Sequence, residues 1–418
     1  MASLRNLAVL LLGALQLQPA PVLAAPFEKQ VVPGKYIVQL KKGISAPDVD
    51  THLSWVRDVH SRRSLNSRDI VGVQKTFRIN DFNAYAGEFD EETLEQIRGN
   101  PDILRIEENQ IFTLIDGPGV SSPSPSASAE KQKRDLVTQD DAVWGLGAIS
   151  HREPGSTQYV YDSSAGEGTW GYVIDSGVRT THEQFEGRAV AAYNALEGTE
   201  DDDNMGHGTH VSATVAGATV GVARKASIVG IKVFDNNVAT TTQDVLDAFS
   251  WAVDDIVSKG RQDKAVINMS LGGGRSDAFD DAVNSAFAAG IISTVAAGNS
   301  NEDASTWSPA SAADALTVGA VASDWTRWYA SNFGAVLDIF APGADVTSAG
   351  IASDTALVSD SGTSMAAPHV AGVALYLQAL EGGSAADIVK RILDLAGEGV
   401  VEDPSGSPNL MLYNGNAA

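Results

Sequence analysis

Four short segments carry side chains from which acyl-transfer chemistry could be built: Tyr172-Val-Ile-Asp175-Ser-Gly177, Gly206-His207-Gly208-Thr209-His210, Val295-Ala-Ala-Gly298-Asn299 and Ser361-Gly-Thr-Ser364-Met-Ala-Ala-Pro368-His369. Asp175 closes an apolar run and a glycine follows soon after, so a carboxylate stands where a strand ends and the chain turns; a strand-terminal Asp is also a common cap. His207, between two glycines, has little steric cover and suits a base that a substrate must reach. His210 lies three residues on, out of the i, i+4 register that two helix-borne metal ligands need, so it is read as packing or hydrogen-bonding within the helix. Ser364 opens a run of small and apolar residues that continues through Leu380. That places a hydroxyl at a helix N-terminus, where free N–H groups and the helix dipole favour a developing anion, although an ordinary capping serine has the same signature. Asn299 ends an Ala-Ala-Gly-Asn strand, and its amide can donate beside the serine's own N–H to form an oxyanion hole; losing one such donor costs about 100- to 1,000-fold in turnover.

Jointly, Asp-Ser-Gly, His-Gly-Thr-His, Ala-Ala-Gly-Asn and Gly-Thr-Ser-Met-Ala-x-Pro-His resemble the motifs of the subtilisin superfamily, and within it the proteinase K group, with the chain order Asp, His, Ser that subtilisins use. The resemblance runs from Trp144 to Asn416. It implies a triad in which Asp175 orients His207, His207 takes the proton of Ser364, and Asn299 holds the oxyanion. It also implies that Ser270-Leu271-Gly272-Gly273 and Ala296-Ala297-Gly298 line the substrate cleft. These stretches hold only small or apolar residues, so broad cleavage after aromatic and large aliphatic residues is expected. Residues 34–115 look like the family's inhibitor-type propeptide. The absence of cysteine, with Trp144-Gly-Leu and Ser407-Pro-Asn-Leu, is similar to the fungal alkaline proteases called oryzins, which implies a mature N-terminus near Asp135. Two positions depart from the pattern: Ala213 stands where relatives carry glycine, and Ala367 where close relatives often carry threonine. No cofactor is implied for the chemistry. A structural calcium ion is, with Asp338 as a ligand and carbonyls near Ala313 and Ala315 as its partners.

The elements that must position these residues follow from periodicity. Lys35–Leu40, Gly72–Ile79, Ala84–Phe89 and Ile103–Ile115 read as strands, Pro47–His60 and Glu91–Arg98 as helices, the second capped by Asp90. The order βαββαβ is that of a small α+β, ferredoxin-like domain. From Gly168 onward, strands at Trp170–Ile174, Ser227–Val233, Ala265–Met269, Ile291–Val295 and Ala315–Val321 alternate with helices at His207–Val215, Gln243–Ser258 and Asp277–Ala289. Such alternation predicts an α/β domain with a doubly wound, mostly parallel sheet.

Around these units the chain of 418 residues, 43% of them hydrophobic, reads as a precursor. Residues 1–24 have the basic start, apolar run and small-residue end of a secretory signal, too interrupted for a membrane span. Residues 25–116 form the propeptide, 117–134 a Pro/Ser-rich linker ending in Lys133-Arg134 as a processing site, and 135–418 the peptidase. Residues 1–134 are charge-balanced, so the whole formal charge of −24 falls on the second unit. Such a surface repels phosphate backbones and argues against a nucleic-acid partner. With no cysteine, thiol catalysis, disulfides and zinc–thiolate sites are excluded. The acidic run Glu200-Asp-Asp-Asp203 reads as a solvated loop, and the sequon Asn268-Met-Ser270 as buried in its strand and unglycosylated. The expected product is a secreted monomeric serine endopeptidase whose partners are protein and peptide substrates and its own propeptide. The competing reading is a catalytically impaired, subtilase-like binding protein. A dibasic-specific processing enzyme is disfavoured because the chain ends soon after the catalytic unit.

Overall fold

The computed structural model describes residues 30–63, 70–115, 129–132, 136–236 and 239–416; the leader at 1–24 and the pair Lys133-Arg134 lie outside them. The first unit runs β1 (Val31–Leu40), α1 (Ala46–Arg63), β2 (Gly72–Ile79), β3 (Phe82–Glu88), α2 (Glu91–Arg98) and β4 (Ile103–Leu114). It is the βαββαβ order read from periodicity, with antiparallel strands arranged β4-β1-β3-β2. Asp90 caps α2, accepting the Thr93 N–H at 2.7 Å. Because side chains alternate across a strand, the sheet has two apolar faces. Val38, Leu40, Tyr85 and Phe89 pack under α1 and α2 with Val49, Leu53, Val56, Leu94 and Ile97. Ile37, Phe77, Ile79, Phe82, Ala84, Ala86 and Phe112 point the other way.

The second unit begins with β5 (Ala129–Gln132) and β6 (Leu136–Gln139), which pair antiparallel, so the end of the expected linker is a strand rather than free coil. After α3 (Trp144–Ser150), β7 (Tyr159–Asp162) completes a three-stranded sheet. Then come β8 (Trp170–Asp175), β9 (Ala189–Asn194), α4 (His207–Ala216), β10 (Ser227–Lys232), β11 (Thr240–Thr241), α5 (Thr242–Ser258), β12 (Ala265–Met269), β13 (Leu271–Gly274), α6 (Asp277–Ala288) and β14 (Ile292–Ala296). The chain closes through β15 (Trp307–Ser308), β16 (Leu316–Val321), β17 (Ile339–Pro342), β18 (Val346–Ala349), β19 (Leu357–Asp360), α7 (Thr363–Leu380), α8 (Ala385–Leu395), β20 (Gly397–Glu398) and β21 (Leu410–Met411).

The main sheet has the order β9-β10-β8-β12-β14-β16-β17-β21-β20 and is parallel except at the β20 edge. Its central strands are buried along nearly their whole length and mostly apolar because both faces are covered. On one face Val173, Val266 and Val318 meet α4 and α7. On the other, Tyr172, Ile174 and Ile267 meet α5 and α6, and this second layer also receives the open face of the first unit's sheet. Strand β8 lies between β10 and β12 where the winding reverses, and ligands of open α/β sheets bind at the carboxyl ends of strands at such a point.

Ala213, in the middle of α4, is fully buried in the core beneath this end. Replacing it by glycine removes a buried methyl, worth about 0.8 kcal/mol, and costs about 1 kcal/mol of helix propensity. In a Ser364→Ala background that prevents autolysis, Ala213→Gly is therefore expected to lower the urea midpoint; a higher midpoint would reveal strain at the alanine.

Candidate active site

Two strand ends and two helix starts deliver the site. Asp175, the last residue of β8, is fully buried, and its Oδ1 accepts two hydrogen bonds, from the Ser176 N–H and from His207 Nδ1, each at 2.7 Å. Burial pushes the carboxyl up from its ordinary range, while His207 and the Ser176 N–H pull it back toward the ionised form. With the proton on Nδ1 facing Asp175, neutral His207 carries its lone pair on Nε2, the nitrogen a base uses.

His207 is the first residue of α4, and the structure explains how that helix start is held. Its N-cap, Gly206, has φ 91° and offers no side chain. The orphan N–H groups of the first turn are satisfied from outside instead: Gly208 N–H by Ser176 Oγ at 2.9 Å, and Thr209 N–H by Asp203 Oδ2 at 2.8 Å. A Cβ at Gly208 would stand 2.1 Å from the Gly177 carbonyl, which accounts for the glycine after His207. Asp203 also accepts from Ser176 Oγ (2.8 Å), Thr209 Oγ1 (2.6 Å) and the N–H groups of Met205 and Gly206 (3.1 and 2.7 Å). The solvated-loop reading of residues 200–203 is thus corrected at its last member: Glu200, Asp201 and Asp202 are exposed, and Asp203 is buried. Behind it the buried Lys232 donates to the carbonyls of Ser176 (3.1 Å) and Asp202 (2.9 Å) and ion-pairs with Asp235. His210 is buried as well, but its Nε2 bonds the Val346 carbonyl of β18 at 2.9 Å rather than a group of its own helix. Burial lowers its pKa to about 3, which keeps it neutral.

Ser364 is the second residue of α7. Pro368 lies four residues on and has no N–H to give the Ser364 carbonyl. Ser270 Oγ supplies the missing donor at 2.8 Å, and is itself held by Asn268 Nδ2 at 3.0 Å. Ser270, expected to meet substrate, therefore turns its side chain to the helix and only its carbonyl to the cleft. Asn268 is buried with its amide engaged, as the sequon reading required. The Thr363 N–H and Oγ1 both donate to Asn299 Oδ1 at 2.9 Å, which points the Asn299 amide nitrogen into the cleft. Ala297 and Gly298 support that turn through Asn332 Nδ2 and Thr363 Oγ1.

The cleft is filled by the chain itself. Thr113 and Leu114 of β4 pair antiparallel with Gly272 and Leu271 of β13, while Ile111 and Phe112 pair with β11. The Ile115 carbonyl then accepts from Asn299 Nδ2 at 2.8 Å and from Ser364 Oγ at 2.5 Å; the hydroxyl also lies 3.1 Å from the Ser270 carbonyl. A Cβ at Gly362 would sit 2.8 Å from Asn299 Nδ2 and 3.1 Å from this carbonyl oxygen, so the position has no room for a side chain. The Ile115 side chain is buried in one cluster with Ala296, and a Cβ at Gly272 would come within 2.9 Å of it. Phe112 occupies the space over Gly273 and meets Phe279 edge-on at 5.7 Å. Beside Leu114, a cavity of about 440 Å³ is lined by Met205, His207, Ile351 and Val358 among others.

The subtilase family model matches residues 168–407, and the peptidase inhibitor I9 model matches residues 35–114. The chain belongs to the subtilase family. Over its full length it is 53% identical to an alkaline proteinase of Hapsidospora chrysogena. It is 51% identical to alkaline protease 1 of Aspergillus oryzae over 98% of each chain, and 50% identical to the subtilisin-like proteinase Mp1 of Magnaporthiopsis poae over 95% of this chain and 96% of that one. A solved cold-adapted subtilisin-like serine proteinase superposes with a TM-score of 0.61 at 39% identity, covering 66% of this chain and 99% of that one. The subtilase is a serine endopeptidase, its catalytic unit has the subtilisin-like fold, and an inhibitor domain precedes that unit.

Sequence reasoning missed Asp203, Ser176 and the bracing role of Ser270. Asp203 had a readable signal, an acid shortly ahead of a helix start with orphan N–H groups, but three exposed acids in the same run hid it. All five of its hydrogen bonds come from donors, so Asp203→Asn must set an NH₂ against one of them. Misplacing a base by about 1 Å costs on the order of 100-fold, and kcat is expected to fall by roughly that with KM little changed. Removing a negative charge near the triad also makes imidazolium less favourable, so the acidic limb of the pH–rate profile should move to lower pH. A well-folded variant with wild-type kcat and an unmoved profile would show that Asp203 only fills space.

Proposed function

We propose that this subtilase is a secreted, broad-specificity endopeptidase using Asp175, His207 and Ser364 as its triad and Asn299 as oxyanion donor. The observation that carries this is the Ile115 carbonyl, lodged between Asn299 Nδ2 and Ser364 Oγ at the end of a strand paired with Leu271 and Gly272. In the reaction His207 accepts the Ser364 proton as Oγ bonds to the substrate carbonyl carbon. Asp175 stabilises the imidazolium, and the negative oxygen is held by Asn299 Nδ2 with the Ser364 N–H as its second donor. The amine leaves with the proton from His207, and water then releases the acyl group by the same steps in reverse. Leu271, Gly272 and Gly273 pair with the substrate backbone on one side, and Ala296, Ala297 and Gly298 border the pocket for the residue before the scissile bond. Neither segment carries a carboxylate, and an aliphatic side chain fills that pocket in the zymogen, which supports a preference for aromatic and large aliphatic residues there.

Secretion rests on the leader at residues 1–24; among the described residues no helix is long and apolar enough to cross a membrane. The propeptide, residues 25–116, acts as the intramolecular inhibitor, the linker spans 117–134, and the peptidase 135–418.

For calcium, Asp338 fits the role of a ligand. It is a largely buried carboxylate with the Thr317 N–H at 2.7 Å on Oδ2, and burial raises its pKa to about 6. Among the described residues no three carboxylates or histidines gather around a point, so its co-ligands would be main-chain oxygens near Ala313 and Ala315. Without a cation, a carboxyl raised in the folded state opposes folding once ionised. Its contribution therefore falls by about 3 kcal/mol as pH rises from about 4 to about 6. Millimolar calcium should raise the thermal midpoint of Ser364→Ala protein at pH 8, and Asp338→Asn should abolish that rise; an equal rise in both would place the ion elsewhere.

The function itself is tested by hydrolysis of chromogenic peptides with Phe, Leu or Arg before the scissile bond. Phe and Leu peptides should be cleaved at least about tenfold faster than the Arg peptide. Activity should vanish in Ser364→Ala and with a phosphonylating serine reagent, and should fall on acidification below about pH 6 to 7 as the imidazole base is protonated. Processed, folded, inactive wild-type protein would favour the impaired binding protein instead.

A further inference from the structure

We infer that Lys232 is a positioning residue for the triad: its buried ammonium ties the turn after Asp175 to the loop that carries Asp203, and its charge offsets the carboxylates gathered around His207. The inference rests on His207 being the base. Lys232 closes β10 after the run Ile228-Val-Gly-Ile231 and lies in parallel register with Asp175 of β8. Its side chain is 1% exposed, and among the described residues no other lysine is buried. An ammonium has three protons to place, and burying it is costly unless each is met. Four oxygens surround it: the Ser176 carbonyl at 3.1 Å, the Asp202 carbonyl at 2.9 Å, an Asp235 carboxylate oxygen at 3.3 Å and Asn204 Oδ1 at 3.5 Å. Asn204 Nδ2 in turn donates to Asp235 at 2.8 Å, which closes a ring of three side chains.

Where these contacts lead distinguishes Lys232 from a residue that only fills space. Ser176 follows Asp175, and its hydroxyl meets both Asp203 and the Gly208 N–H; Asp202 precedes Asp203, which takes the Thr209 N–H. One ammonium thus holds, by their main chains, the two segments whose side chains fix the start of α4 and so the ring of His207. An apolar side chain of similar volume often replaces a buried ion pair at no loss of stability, but it would give neither carbonyl a donor and would carry no charge.

That charge acts on the same imidazole. Asp175 and Asp203 are buried beside His207, and Asp360 lines the cavity next to it. The other titratable groups near α4 are His210 on the helix itself and His369 of α7, with pKa values lowered by burial to about 3 and about 4, and the buried His182 and exposed Glu183 ahead of β9. Arg179 is engaged by Asp354 and the Ile351 carbonyl. Negative neighbours favour imidazolium and a positive neighbour opposes it. Removing the ammonium therefore makes His207 easier to protonate, and removing the Asp235 charge has the reverse sign.

The test compares kcat, KM and the pH–rate profile of wild type, Lys232→Met, Asp235→Asn and the double variant, with competent sites counted by a phosphonylating serine reagent and folding checked by circular dichroism. Lys232→Met should lower kcat about tenfold or more with KM changed less than about twofold, and should move the acidic limb up by about half a pH unit or more. Asp235→Asn should move it down. The double variant, with neither charge, should return the limb toward its wild-type position while kcat stays low, since the ties to Ser176 and Asp202 are still missing. A purely structural role would lower kcat in Lys232→Met without these opposed shifts. Folded Lys232→Met with wild-type kcat, or with a limb that stays in place or moves down, overturns the inference. Should Lys232→Met not fold, Asp235→Asn decides alone, and a limb that is unmoved or moves up overturns it. Wild type that hydrolyses peptides while the variants show no opposed shifts leaves the endopeptidase reading standing and removes only the role of Lys232. Folded, processed and inactive wild type removes the base, and with it both readings.

Discussion

A helix begins with N–H groups that its own turns cannot satisfy, and four helices bordering the cleft begin with that deficit. What each finds as a partner organises the molecule. The α4 start takes Asp203 and Ser176 and so fixes His207 against Asp175. The α7 start takes Asn299 Oδ1, which turns the other end of that amide toward the Ile115 carbonyl. The α5 and α6 starts take Asn109 and Glu107, and these come from the inhibitor domain. Catalytic order and inhibition thus draw on one backbone property, met from within the peptidase in all four helices, with Thr241 and Ser276 capping α5 and α6, and supplemented across the domain boundary in those two.

Much of this was legible in the sequence. Residues 171–174, 228–231 and 265–267 are buried and read as unbroken apolar runs, so the parallel sheet announced itself, and the two-residue period of the first unit did the same for its antiparallel one. Asp175, His207, Ser364 and Asn299 were visible because each interrupts such a pattern at an element's end. Hidden were features whose cause lies far away in the chain. Strands β11, β13 and β15 are only two to four residues long and exist because β4 or one another pairs with them. Asp203 looked like its solvated neighbours since nothing local shows that its loop folds under α4. Ser270 sat in a substrate-lining motif, and only the missing donor at Pro368, nearly a hundred positions on, explains where its hydroxyl points.

Pro368 also shows why a rule about helices can be broken usefully. A proline inside a helix forfeits a hydrogen bond and would ordinarily bend or weaken it. Here the forfeited acceptor belongs to Ser364, the proposed nucleophile, and Ser270 ties it to β12 through Asn268, whose Oδ1 accepts from Thr294 Oγ1 on β14. The serine is anchored to the sheet as well as to its helix.

The two-faced sheet of the inhibitor domain carries a consequence for the timing of activity. One face owns its helices; the other, with Ile37, Phe77, Ile79, Phe82 and Phe112, borrows its cover from the peptidase. Once parted from the enzyme, a domain of about 80 residues loses the cover over one face of its sheet, and small domains have little margin to lose. The liberated strand edges and aromatic side chains then lie open to the protease they restrained. Dissociation and destruction become successive stages of one event, so the switch from dormant to active works as a ratchet rather than as a reversible equilibrium.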